Sequence, residues 1–331
     1  MVMSDKKWAL ALAVLFMAFI YLLVQFMMSN YKNQALVQRL IENETNPRSR
    51  PHVMLISQEL DNPYWRTVEK GARDAADQLG VALEYVGPLR LNQDEQTKLL
   101  EKAIAAKVDA ILLQGVRSIA YSRLINKAVE QGIPVITVDT DSPDSKRIAY
   151  VGSDNIASGA RLGRLVKDTH NGPGKIGIIL GSNLAENQML RLEGFRSVIS
   201  TQRDLQIVDI RASNLSRIEA AQKTAEMLFM HADINIIVGL SELDAGGILQ
   251  AVRNSGLEGK IDIFGFDDTE GTKEALQRGE IRATIVQKPY QMGHEALSLL
   301  HLVLQGEHPA GNHYTSYEVL SAPPLLKEQQ P

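Results

Sequence analysis

The chain of 331 residues contains no cysteine. That excludes disulfides, Cys-zinc sites, thiol catalysis and lipid attachment through an N-terminal cysteine. It leaves the compartment open. Neither sign of charge dominates: 35 Lys and Arg stand against 39 Asp and Glu, and the net charge is −4. Such a mixed, near-neutral balance carries no nucleic-acid footprint. The common hydrolase signatures are missing too. There is no G-x-S-x-G and no H-E-x-x-H, and His294-Glu295 lacks a second His at the needed spacing. Asn171-Gly172-Pro173-Gly174-Lys175 is too short for a phosphate loop, lacks Ser or Thr after the Lys, and precedes a strand rather than a helix. It reads as a turn.

What is present begins with an apolar run. Lys6-Lys7 precede Trp8 to Met28, whose only strongly polar member is Gln25 near one end. About 20 such residues cross a bilayer as a helix. A cleaved signal peptide is the rival reading. Its apolar core is shorter, roughly 7–15 residues, and ends at small residues. Gln25 to Asn30 offers no such pair. The expectation is therefore an uncleaved anchor, with residues 1–7 cytoplasmic and the bulk of the chain outside. A DNA-binding headpiece would need that same N-terminal space. Residues 29–51 form a connector. Leu36, Val37, Leu40 and Ile41 make a narrow helical stripe there, before Asn46-Pro47 and Arg50-Pro51 break it.

From His52 the chain alternates short apolar runs with helical patterns. Runs at 53–57, 82–86, 110–113 and 135–138 alternate with helical stretches at 64–79, 93–106 and 119–131. Strand starts recur roughly every 28 residues, the size of a βα unit. The rhythm returns with runs at 175–180, 205–210, 234–238, 261–266 and 282–286, and helical stretches at 187–200, 217–230, 243–255 and 290–304. A last short strand is expected at 315–320. Unbroken apolar runs suit strands covered on both faces. Ligands in such sheets bind outside the carboxyl ends of the strands.

The residues after each run are therefore the candidates. The first run leads into Asn62, Tyr64 and Trp65. Asn62 is a good cap for a helix starting near Pro63. The two rings either cover the sheet edge or face a cleft, where flat rings stack on a sugar. Later runs lead into Asp139, Asp154-Asn155, Ser241-Glu242, Asp267-Asp268 and Gln287, with Arg191 in the helical stretch after Gly181-Ser182. Carboxylates accept from paired hydroxyls and Arg donates in a planar fork, so the set suits a neutral polyhydroxylated ligand. Asp154, Asp267 and Asp268 read equally as helix caps.

Six motifs in order make the chain resemble the ribose/galactose type of periplasmic sugar-binding protein, related to the effector domain of LacI-type repressors. They are D-N-P-Y-W at 61–65, I-P-V-I-T-V-D at 133–139, V-G-S-D-N at 151–155, R-L-E-G-F at 191–195, G-F-D-D-T at 265–269 and A-T-I-V-Q at 283–287. The resemblance covers about residues 52–325. It implies an α/β fold of two doubly wound parallel-sheet lobes joined by three hinge crossings, near 152–156, 285–289 and 311–316. Lobe 1 is expected at 52–153 plus 288–313, and lobe 2 at 154–287 plus 314–325. It further implies ligand contacts from Asn62, Tyr64, Trp65, Asp139, Thr140, Ser153, Asn155, Arg191, Leu215, Ser241, Asp267 and Gln287, with no cofactor and no metal.

Three positions depart from the family's ribose binders: Thr140 stands for an Arg, Leu215 for an aromatic, and Ser241 before Glu242 for an Asn. The sugar cleft is retained while ribose itself is not indicated. The expected function is extracytoplasmic binding of a monosaccharide or similar polyol, with closure read by a membrane histidine kinase or chemoreceptor. The alternatives are the binding component of an ABC sugar importer and, further off, an enzyme acting on a sugar.

Overall fold

The computed structural model describes residues 16–17, 19–30, 34, 50–183, 185–309 and 311–323. The chain divides between Arg50 and Pro51 into two compact units. In the first, residues 16–17 and 19–30 are helical, and their apolar side chains are exposed, from Ile20 at 44% to Phe26 at 71%. Residues 1–15 and 18, and with them positions 8–15 and 18 of the expected span, lie outside the described residues, as does most of the connector with its Leu36–Ile41 stripe. Among the described residues no helix is long and apolar enough to cross a membrane.

The second unit holds two six-stranded sheets. The first comprises β1 (His52–Ile56), β2 (Ala82–Val86), β3 (Ala110–Leu113), β4 (Val135–Val138), β5 (Ala149–Ser153) and β11 (Gly311–Thr315), in the order β2-β1-β3-β4-β5-β11. All its neighbours run parallel. The second comprises β6 (Gly174–Leu180), β7 (Leu205–Ala212), β8 (Ile236–Gly239), β9 (Asp262–Phe266), β10 (Ala283–Val286) and β12 (Glu318–Ser321), in the order β7-β6-β8-β9-β10-β12. There only β12 is antiparallel, to β10.

The helices fall where apolar periodicity and caps put them. Helix α1 (Pro63–Leu79) starts with Asn62 accepting from the Tyr64 and Trp65 amides, and ends on Gly80 in the left-handed region, φ 70°. Pro63 at the first position loses no helical bond. Helices α2 (Gln93–Ala105) and α3 (Ile119–Glu130) complete the first winding. Helices α4 (Asn155–Thr169), α5 (Glu186–Ile199), α6 (Arg217–Met230), α7 (Asp244–Asn254) and α8 (Glu270–Gln277) cover the second sheet. The last, α9 (Pro289–Leu304), returns to the first sheet: Met292, Ala296, Leu297 and Leu300 join Val68, Ala72 and the inner residues of β1, β3, β4 and β5 in one core cluster. The chain thus passes between sheets after Ser153, after Val286 and after Thr315.

Each sheet has an apolar layer on both faces, which is why β1, β3, β4, β8, β9 and β10 read as unbroken apolar runs. Two features differ from expectation. Helices α4 and α8 were not anticipated; Asp154 caps the first and Thr269 the second, so Asp267 and Asp268 are not caps. The single strand expected at 315–320 is two strands, one per sheet. β11, Gly-Asn-His-Tyr-Thr, is a mostly exposed edge strand and shows no apolar run to signal it.

Candidate functional site

The carboxyl ends of both sheets meet at one cleft, and the same local device recurs on its two sides. Asp139 follows β4 with φ 65°, and Asp267 follows β9 with φ 64°. The Asp139 amide donates to the Val151 carbonyl at 3.0 Å, and the Asp267 amide donates to the Ile285 carbonyl at 2.6 Å. The Asp139 carbonyl accepts from Tyr150 Oη at 2.7 Å, and the Asp267 carbonyl from Thr284 Oγ1 at 2.8 Å. A left-handed turn after each strand aims the carboxylate into the cleft; Asp tolerates that conformation better than most residues.

Around Asp139, Oδ1 accepts from Tyr64 Oη at 3.0 Å. Oδ2 accepts from Gln114 Nε2 at 3.2 Å, Thr140 Oγ1 at 3.1 Å and Asn187 Nδ2 at 3.3 Å. The last comes from the opposite lobe. Around Asp267, Gln287 donates twice, from its amide at 3.1 Å and from Nε2 at 2.9 Å. Arg191 organises the second lobe's side. Its Nε donates to Asn155 Oδ1 at 2.8 Å, one terminal nitrogen to the Leu240 carbonyl at 3.0 Å, and the other to Gln287 Oε1 at 2.9 Å. Its guanidinium lies 3.9 Å from the Phe266 ring centroid, a cation–π stack. Ser153 Oγ donates to the same Gln287 oxygen at 2.8 Å, which ties the first crossing to the second.

Burial raises the acid pKa values here. Asp267 is pushed up to about 6, burial outweighing the pull of Arg191 and the Gln287 bonds. Glu242 is pushed up to about 7, first by burial and then by Asp267, Asp268 and Glu59, against a hydrogen bond from Asn62. Tyr64 is held well above its usual range by burial and by Asp139. Asp244 is pushed up to about 6 by burial, but it accepts from Ser213 Oγ and the Ser241 amide and braces the β8–α7 turn.

A cavity of about 50 Å³ lies among these groups. Of the residues anticipated from sequence, Asn62, Tyr64, Trp65, Asp139, Arg191, Leu215, Ser241, Asp267 and Gln287 line it. Thr140 lines an adjoining hollow instead, and Ser153 and Asn155 line a surface recess by Tyr150 and Tyr314. Both of these support the site through Gln287 and Arg191. Trp65 is 1% exposed and belongs to the lobe core as well as to the cavity lining, so covering the sheet is the role the structure shows for that ring. Ser241 Oγ is buried in this lining beside the Asp244 carboxylate, which the Ser241 side chain helps to hold in its charged form.

Sequence reading missed Gln58, Asn187, Gln188 and Leu243 of the lining, and Gln114 behind Asp139; Glu242, a strand-end candidate, also lines it. Gln114 follows β3 directly, so the strand-end rule reaches it. Asn187 and Gln188 precede Arg191 by four and three residues, one helical turn on the same face. Among the described residues no group of His, Asp and Glu could hold a metal ion.

Two parallel-sheet lobes that turn their strand ends toward one polar cleft define a two-lobed ligand-binding protein. The chain belongs to the periplasmic binding protein family, whose domain profile matches residues 53–308. It is similar to GanP, a glucose-galactose binding protein from Geobacillus stearothermophilus, with 42% identity over 84% of this chain and 99% of that one and a TM-score of 0.80. It is also similar to XylFII in the XylFII-LytSN complex, with 34% identity over 82% of this chain and 98% of that one and a TM-score of 0.77. The ribose import binding protein of Bacillus subtilis is 26% identical over 271 residues, 82% of this chain and 85% of that protein.

Proposed function

We propose that the protein binds a monosaccharide or similar polyol between its lobes, outside the cytoplasm, and reports lobe closure to a membrane partner. The observation that carries this is the matched pair of carboxylates, Asp139 and Asp267, delivered by equivalent left-handed turns on opposite sides of one small cavity. Two acceptors facing each other, with Arg191 beside them, suit the two edges of a polyhydroxylated ring. The aromatic faces of Tyr64 and Trp65 suit its apolar side.

The apolar N-terminal segment at 8–28 serves as an uncleaved anchor. Its described part carries exposed apolar side chains all round, as a bilayer requires and water does not. Tethering keeps the protein beside one partner. Similarity to a protein solved in complex with LytSN favours a signalling partner, a histidine kinase or chemoreceptor. Similarity to ribose import binding proteins supports the second reading, the binding component of an ABC importer.

Calorimetric titration of the full chain in nanodiscs against pentoses, hexoses and polyols tests the binding claim. Heat on binding is expected with at least one of them, and none from the whole panel would remove the sugar reading. Co-purification from membranes separates the partners. A permease in place of a signalling receptor would move the protein to import.

A further inference from the structure

The cleft does not end at the cavity between Asp139 and Asp267. A second hollow of about 250 Å³ adjoins it, and Gln58 and Leu215 line both. Its remaining walls include Gln96, Gln114 and Thr140 from the first lobe and Ala185 from the second. Leu91 at its rim is 46% exposed, so the hollow meets solvent while the lobes stand together.

Size argues first. The cavity at the carboxylates is about 50 Å³. Small-molecule sites run from roughly 300 to 1,000 Å³, a range reached only when the two spaces are taken as one. Chemistry argues next. The first cavity is lined by Asp139, Arg191, Glu242 and Asp267. Among the described residues the second has no charged residue in its wall, only amides, hydroxyls and the apolar Leu91, Val116, Ala185 and Leu215. That wall suits a neutral group with apolar faces and a hydroxyl edge. Amides offer both a donor and an acceptor to such an edge.

The partition between the spaces is thin. Thr140 Oγ1 and Gln114 Nε2 both bond the Asp139 carboxylate and also each other, at 3.1 Å. Gln114 Nε2 also donates to Gln58 Oε1 at 2.9 Å. A ring held by Asp139 would therefore lie against Thr140 and Gln114, the side chains that separate it from the second hollow.

We propose that the second hollow is a subsite for a glycosidically linked second sugar unit, so that the cleft holds a neutral disaccharide or comparable glycoside more tightly than the monosaccharide it binds at Asp139 and Asp267. This rests on the sugar reading of the cleft given above. The test titrates the full chain in nanodiscs with glucose, galactose and xylose, and with cellobiose, lactose, maltose and melibiose. At least one disaccharide is expected to bind ten-fold or more tightly than its constituent monosaccharides. Ala185→Phe, which fills the hollow, should collapse that ratio; Leu91→Trp at the rim serves the same purpose should the first variant fail to fold. A monosaccharide that binds as tightly as every disaccharide overturns the subsite and leaves the sugar site standing. A ratio unmoved by folded variants overturns its location. No binding by any sugar overturns the sugar reading and the subsite with it.

Discussion

Asp139 and Arg191 look alike as buried charged groups, yet they do different work. Asp139 accepts four hydrogen bonds at its carboxylate, one from across the cleft, and sits in a left-handed turn. Asn fits that conformation and keeps the shape. Asp139→Asn should therefore fold and lose one charge-assisted ligand contact, about 1.5–3 kcal/mol, roughly ten- to hundredfold in affinity. Calorimetry against the native ligand reads this, and unchanged affinity would take Asp139 out of the site. Arg191 instead braces Asn155, Leu240, Gln287 and Phe266. Truncating it leaves several buried groups unpaired, so Arg191→Ala is expected to cost stability as well as affinity, seen as a lowered Tm. Asp267 sets a pH dependence. Its carboxyl is pushed up to about 6, mainly by burial. The folded protein then holds that proton more tightly than the unfolded chain. The stability it contributes is full below the ordinary value near 3.8 and is lost as pH rises through about 6. A sugar hydroxyl donating to Asp267 favours the charged form, so binding releases a proton. Affinity should fall between about pH 7.5 and about pH 5, and a flat profile would remove Asp267 as an acceptor.

The helices that hold these residues pack at unusually close range in both lobes. A Cβ on Gly159 of α4 would sit 2.0 Å from the Arg191 carbonyl oxygen of α5, and one on Gly293 of α9 would sit 1.9 Å from the Val68 carbonyl oxygen of α1. Both contacts are backbone, so the helices must move apart. Overpacking of this kind costs roughly 1–3 kcal/mol. Gly293→Ala should lower Tm; Gly159→Ala should lower Tm and also weaken ligand binding, because the displaced backbone is that of Arg191. Equal ligand affinity in the two folded variants would count against α5 as the element that positions the site. Much of this level was legible in the chain. The central strands are covered on both faces, and they announce themselves as apolar runs. The strand-end rule then led to Asp139, Asp267 and Gln287. β11 was not legible, since an exposed edge strand has no apolar face to display. Asn187 was not legible either. Its role depends on the opposite lobe, and no local pattern encodes a contact with Asp139, 48 positions away. Thr140 shows the intermediate case: its position beside Asp139 was evident, but not that it faces the neighbouring hollow.

If the lobes open and close as proposed, charge sets the expected cost of closing them. With the lobes together, Asp139, Glu242 and Asp267 surround one small cavity whose only lining cation among the described residues is Arg191. Glu242 registers the cost: burial first, then Asp267, Asp268 and Glu59, push it up to about 7. The cross-lobe bonds in its favour are modest. Asn187 reaches Asp139 at 3.3 Å, and Arg117 pairs with Glu186 at 2.8 Å, but Arg117 is 68% exposed. An exposed pair of this kind contributes about 0–1 kcal/mol. The expectation is that an empty cleft favours separated lobes and that a ligand donating to the carboxylates favours closed ones. The shift is limited to the ligand's differential affinity for the two states; going from 1:99 to 99:1 needs about 5.5 kcal/mol. Residues 51–331 form their own compact unit, so the expectation can be read by small-angle scattering on that segment. Saturating ligand should reduce the radius of gyration. Glu242→Gln, which removes one of the opposed charges and keeps the amide partner for Asn62, should reduce it without ligand. A ligand that binds by calorimetry yet leaves the radius unchanged would separate binding from closure, and a membrane partner would then have no conformational signal to read.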